Sequence, residues 1–132
     1  MSPKPVRVLI VDDHALFADS LKLLLDRDDS IEVVGIASDG QEAVDLALLF
    51  DPEVVLMDIS LPTFDGYEAT RRLHEIKDAA KVIALTGHDA DDVGEAARAA
   101  GMVSFLSKDH VSLTVLWEIH SVAGDKFCAT QH

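Results

Sequence analysis

The chain has 132 residues, a formal net charge of −13, and 48% hydrophobic and 27% charged residues. That length holds one domain, and the composition is that of a globular chain rather than a disordered one. The acidity opposes direct binding to nucleic acid, whose affinity comes from neutralising phosphates with Lys and Arg, and no apolar run approaches the ~20 residues of a membrane span.

The N-terminal M-S-P-K-P lacks the apolar core of a secretory signal, and the lone Cys128 gives no disulfide framework, which fits a reducing cytoplasm. In chain order, the first expected strand, 6–11, stops abruptly at Asp12 and Asp13. A helix over 15–27 follows, with Asp13 or His14 where it begins; Phe17, Leu21, Leu24 and Leu25 form one apolar stripe. After a strand at 31–37, Ser38 and Asp39 are N-cap candidates for a helix over 40–50. Gln41 and Glu42 are placed to complete a capping box, and Ala43, Val44, Ala47 and Leu48 form the expected buried stripe. Pro52 ends that helix, and the strand at 53–58 stops at Asp58.

Asp65-Gly66 signals a turn into a helix over 66–77, with Leu73 and Ile76 expected to face inward. A strand at 81–86 ends on Thr86. The helix expected over 90–100 carries Gly94 in its interior, a cost of ~1 kcal/mol relative to alanine, and otherwise mostly small residues: Ala96, Ala97, Ala99 and Ala100. It reads as a short surface helix or as an element that shifts when a neighbouring site changes state. A strand at 103–107 leads to Lys108, and a helix over 111–123 closes the pattern.

Five strand–helix units imply a parallel sheet with helices on both faces. In such a sheet ligands bind beyond the carboxyl ends of the strands. Asp12, Asp13, Asp58, Thr86 and Lys108 all lie at those ends. Singly, most have ordinary explanations: helix caps for the acid pair, a turn residue for Thr86, a solvated lysine for Lys108. Asp58 is harder to dismiss, because it ends an apolar run suited to the sheet centre and needs a partner there. Together the residues explain one another. Converging carboxylates repel, and a hard cation such as Mg²⁺ relieves the repulsion. Lys108 suits a phosphate oxygen, Thr86 offers a hydroxyl, and the Asp58 carboxylate can attack phosphorus to give an acyl phosphate.

The motifs V-D-D-H, M-D-I-S-L-P-T-F-D-G, A-L-T-G and F-L-S-K-D, in that order from Val6 to about Gly124, resemble the receiver domain of two-component response regulators. The resemblance implies a doubly wound α/β fold: a five-stranded parallel sheet in the flavodoxin-like order 2-1-3-4-5 with five helices. It would occupy residues 1–124, leaving 125–132 as a tail or truncated linker. It implies that Asp58 accepts the phosphoryl group, Asp13 ligates Mg²⁺ directly, and Asp12 acts largely through water. The Ser60 carbonyl is the implied third protein ligand. Thr86 and Lys108 would contact the phosphoryl group, Pro62 and Gly66 would form the following loop, and Thr86 with Phe105 would make the switch.

There are two departures from the family pattern. Phe105 stands where tyrosine is frequent, so without a hydroxyl the switch acts through packing alone. Leu61 replaces a frequent methionine with little expected consequence.

The implied function is a cytoplasmic, phosphorylation-dependent switch fed by a sensor histidine kinase. Its fourth helix, fifth strand and fifth helix would repack, with homodimerisation on phosphorylation. V-D-D-H-A-L-F and I-H-S-V-A-G-D-K-F resemble the branch whose receiver precedes a helix-turn-helix domain of the LuxR/NarL type. DNA binding is therefore expected of a parent protein and not of these residues.

A stand-alone or non-switching receiver acting as a protein-binding module is the alternative. A turnover phosphatase would need an acid or base two residues beyond Asp58, where Ser60 stands. Flavin binding is opposed by the acidic site and by only Tyr67 and Trp117 as large amphipathic rings. His14 reads as a cap, and His88 as a loop residue or a group tuning the access of water to the acyl phosphate.

Overall fold

The computed structural model of the protein describes residues 4–76, 80–87 and 93–124. Strands β1 (Val6–Val11), β2 (Ile31–Ala37), β3 (Val54–Asp58), β4 (Lys81–Thr86) and β5 (Ser104–Ser107) alternate with helices α1 (Ala15–Leu25), α2 (Gly40–Phe50), α3 (Gly66–Ile76), α4 (Val93–Ala100) and α5 (Val111–Val122). The strands form one parallel sheet in the order β2-β1-β3-β4-β5, as expected. Most boundaries lie within two residues of expectation; α4 begins at Val93, and residues 90–92, like the tail from 125 and His88, lie outside the described residues.

Successive strand side chains point to opposite faces, so each apolar run feeds two cores. Val8, Ile10, Leu56, Ile83 and Leu85 pack with α1 and α5. Leu9, Val11, Val55, Met57, Val82 and Ala84 pack with α2, α3 and α4. That double burial is why β1 and β3 read as nearly unbroken hydrophobic runs. Each of the Val, Leu, Ile and Met side chains among them contributes about 1.5–3 kcal/mol on leaving water.

Two inward assignments fail. Leu48 is 54% exposed and Ile76 48% exposed. Helix α2 rests on Gly40, Ala43, Val44 and Ala47, and that placement turns Leu48 to solvent. Ile76 is the last described residue of α3, three positions beyond the buried Leu73. At Gly94, near the start of the described part of α4, a Cβ would sit 3.3 Å from the Phe105 ring.

Local signals act as read at α2. Asp39 caps the helix, accepting from the Glu42 amide at 2.7 Å, while Glu42 accepts from the Ser38 amide at 2.6 Å. The box therefore closes one residue early. Asp51 ends the helix in the left-handed region, at φ 51°, before Pro52. At the opposite end of the molecule from Asp58, His120 of α5 holds the α1–β2 loop. Its Nε2 lies 3.2 Å from Asp28 Oδ2 and 3.0 Å from Ser30 Oγ.

Candidate functional site

Strand register brings the polar residues to one edge. The Asp12 amide donates to the Ala37 carbonyl at 2.9 Å, extending the β1–β2 ladder past the last strand residue. Asp58 pairs with Leu85 and Thr86 with Ser107, and the Lys108 amide donates to the Thr86 carbonyl at 2.8 Å. Asp12, Asp58 and Thr86 are all at most 2% exposed. Gly66 closes the loop after β3: its amide donates to the Ile59 carbonyl at 3.1 Å, and a Cβ would come within 2.2 Å of the Asp58 carbonyl oxygen. Only glycine permits that approach.

Lys108 is the centre of the cluster. Its Nζ lies 2.6 Å from Asp12 Oδ2 and 3.1 Å from Asp58 Oδ2. The Phe17 ring lies below it, 4.7 Å from Nζ to the centroid, so the ammonium also meets an aromatic face. The Ser60 amide donates to Asp58 Oδ1 at 3.0 Å and fixes the carboxylate's rotation. Burial pushes the Asp58 carboxyl above its ordinary range. The Ser60 amide bond opposes that rise, the Asp12 charge adds to it, and Lys108 offsets part. Burial pulls the Lys108 ammonium down, but its contacts to Asp12 and Asp58 outweigh this and leave it above the usual lysine range.

Asp12, Asp13, His14 and Asp58 each offer one ligand atom, all within 4.8 Å of one another. Among the described residues, Asp12 Oδ2 is buried and accepts no well-aligned hydrogen bond, and the Lys108 charge balances it. A buried oxygen in that condition, with two further carboxylates beside it, suits a hard cation with oxygen ligands.

Of the residues singled out in the sequence, Asp12, Asp13, Asp58 and Lys108 converge, with Thr86 at the same sheet edge; Ser60, expected to offer its carbonyl, meets Asp58 through its amide. Phe105 does not join them: it is half-exposed and leans on Gly94 of α4. His14 does, while also occupying the N-cap position of α1 as read. Its side chain makes no capping bond, and its Nδ1 sits 3.0 Å from Asp12 Oδ1. The signal was available in V-D-D-H, since an imidazole next to two ligating carboxylates is itself a ligand type.

A doubly wound parallel sheet with an acidic, lysine-bridged cluster at its carboxyl edge places the molecule in the flavodoxin-like class that includes CheY. The profile of the response regulator receiver domain matches residues 8–118, and the chain belongs to that family. The transcriptional regulatory protein PdtaR of Mycobacterium tuberculosis is 42% identical over 104 residues, 79% of this chain and 50% of the relative. The chain spans about half the length of the curated relatives it matches first. A two-component response regulator of the LuxR family from Aurantimonas superposes with a TM-score of 0.86 at 28% identity, covering 92% of this chain and 86% of that one. The CheX-CheY-BeF3-Mg complex from Borrelia burgdorferi gives 0.82 at 26% identity, covering 90% of each chain. Among the described residues no helix is long and apolar enough to cross a membrane.

Proposed function

We propose that this receiver domain is a phosphorylation-dependent switch in which Asp58 takes a phosphoryl group from the phosphohistidine of a sensor histidine kinase. The observation that carries the reading is the Lys108 bridge between Asp12 Oδ2 and Asp58 Oδ2 at 2.6 and 3.1 Å. A lysine so placed is within reach of a phosphoryl oxygen on Asp58 without leaving the cluster.

The Ser60 amide occupies Asp58 Oδ1, leaving Oδ2, beside Lys108, as the attacking oxygen. The O–P bond forms at Oδ2 as the donor's P–N bond breaks, and the leaving imidazole keeps the bonding electron pair and takes a proton. Asp12, Asp13 and Asp58, with the Ser60 carbonyl, are the residues that would hold Mg²⁺. When bound, Mg²⁺ supplies positive charge to the transferring phosphoryl oxygens. That the Borrelia CheY complex contains beryllofluoride and magnesium supports the same chemistry here.

Thr86, one residue beyond the Leu85 that pairs with Asp58, would move toward the new phosphoryl group, and Phe105 would turn inward behind it. The face of α4, β5 and α5 then repacks as a shift between two populations. Homodimerisation through that change, and transcriptional output through a DNA-binding domain of a longer protein, complete the proposal; the curated relatives' transcriptional roles support the latter. Incubation with Mg²⁺ and acetyl phosphate should add one phosphoryl group by mass to wild type and none to Asp58→Asn. Equal modification of both would sink the assignment.

One observation favours a second reading. Phe105 has no hydroxyl and already rests in the space left by Gly94, so phosphorylation could leave the outer face unchanged. Amide exchange of α4 and β5 with and without beryllofluoride separates the two, an unchanged pattern supporting a non-switching binding module.

A further inference from the structure

We infer that His14 is a nitrogen ligand of the acidic cation site and widens its preference for borderline transition metals over Mg²⁺. The inference rests on the reading of Asp12, Asp13 and Asp58 as that site. His14 directly follows the acid pair and begins α1, yet its ring does not serve the helix: no side-chain capping bond forms. The backbone does the local work, the His14 amide donating to Asp12 Oδ1 at 2.8 Å. The ring is left to turn into the cluster. Its Nδ1 lies 3.0 Å from Asp12 Oδ1, 3.4 Å from Asp13 Oδ1 and 3.8 Å from Asp58 Oδ2.

Those separations match a shared ion. With bonds of about 2.1 Å, adjacent ligand atoms lie about 3.0 Å apart around an octahedral ion and about 3.4 Å apart around a tetrahedral one. Two of the three distances fall in that range, and the third needs only a small rotation of a side chain that is 65% exposed. At Asp12 the two groups use different oxygens, His14 Oδ1 and Lys108 Oδ2, but Lys108 Nζ lies 3.4 Å from His14 Nδ1, so an ion entering beside the imidazole has to displace the ammonium from that nitrogen.

Ligand chemistry then determines the preference. Carboxylate, carbonyl and water suit Mg²⁺, whereas imidazole suits Ni²⁺, Zn²⁺ and Cu²⁺. Any such site binds Ni²⁺ more tightly than Mg²⁺, so the informative quantity is how far His14 widens the gap. Chain position also matters. Neighbouring residues deliver the nitrogen and the Asp13 oxygen, so the pair reaches the ion with little loop entropy.

The test is calorimetric titration with Ni²⁺ alone and with Mg²⁺ alone, on wild type and His14→Ala, at one fixed pH. The variant should lose about 10-fold or more in Ni²⁺ affinity, the scale on which even outer-shell partners of metal ligands act. Its Mg²⁺ affinity should change less than about 3-fold, since Mg²⁺ draws on oxygen ligands. In a Zn²⁺ titration of wild type, one histidine ring ¹⁵N signal that is absent from His14→Ala should shift on coordination, distinguishing His14 from the chain's five other histidines. If Mg²⁺ binds but removal of His14 leaves Ni²⁺ affinity unchanged, or weakens both metals alike, the inference fails while the cation site stands. If neither metal binds wild type, the cation site itself fails, and the inference with it.

Discussion

Asp58 and Lys108 show how one pair can be costly and useful together. The Asp58 carboxylate is buried beside a second buried acid, so its ionised form is disfavoured in the folded chain. A carboxyl whose folded value lies above its unfolded one lowers stability once ionised, and that penalty disappears as pH falls through the folded value. Asp58→Asn should therefore stabilise the domain at neutral pH by about 1 kcal/mol, within the range of substitutions that relieve a functional site. The Asn side chain can still accept from the Ser60 amide, and Lys108 retains Asp12, 2.6 Å away in the unsubstituted chain, as a partner. Urea unfolding measures the gain, which should shrink as pH drops into the carboxylate range. A loss of stability at neutral pH would mean that the Lys108 pair outweighs the burial and the repulsion.

At the scale of elements, α5 is tied to the far end of the sheet by a polar contact within a largely apolar interface. His120 Nε2 meets Asp28 Oδ2 at 3.2 Å, and the Ser30 amide donates to Asp28 Oδ1 at 2.8 Å. Burial pushes the Asp28 carboxyl up, but the Ser30 bonds and the His120 contact outweigh it and leave the carboxyl below its ordinary value of 3.8. A carboxyl lowered by folding contributes stability that is complete above the unfolded value and lost as pH falls through the folded one. Asp28→Asn should cost about 0.5–1.5 kcal/mol at neutral pH, the net scale of an ordinary hydrogen bond, since solvent reaches part of the carboxylate. The difference from wild type should close in acid below the ordinary carboxylate range. A gap that persists there would assign the loss to packing instead of charge. Since α5 also belongs to the face proposed to repack, this contact anchors the end of the helix remote from Lys108.

For the whole molecule, the charge of −13 and the acidic edge act together. Self-repulsion lowers the stability of a compact acidic chain, and any cation bound only by the folded state restores part of it. Saturation with Mg²⁺ at 100 times its Kd corresponds to about 2.7 kcal/mol. Melting temperature should therefore rise with MgCl₂ beyond the rise in NaCl of equal ionic strength, and Asp13→Asn should remove the excess. Matching curves in the two salts would assign the effect to screening and leave the cluster without a specific ion.

Much of this was legible in the chain itself. Doubly buried strands have to be continuous apolar runs, so β1, β3 and β4 announced themselves, and abrupt polar stops marked the edge where Asp12, Asp58 and Thr86 lie. Capping chemistry at Asp39 and the turn at Asp65-Gly66 were equally local. Side-chain direction was not, because it depends on which neighbour a surface meets. Leu48 and Ile76 satisfied the helical period yet face solvent, Leu48 because α2 sits down on Gly40, Ala43, Val44 and Ala47. Sequence could name Gly66 but could not show that its missing Cβ lets the loop press on the Asp58 carbonyl. His14 needed the fold most. One position along the chain it reads as the start of a helix, and only the convergence of β1, β3 and the β5–α5 connection puts its ring among three carboxylates and a lysine.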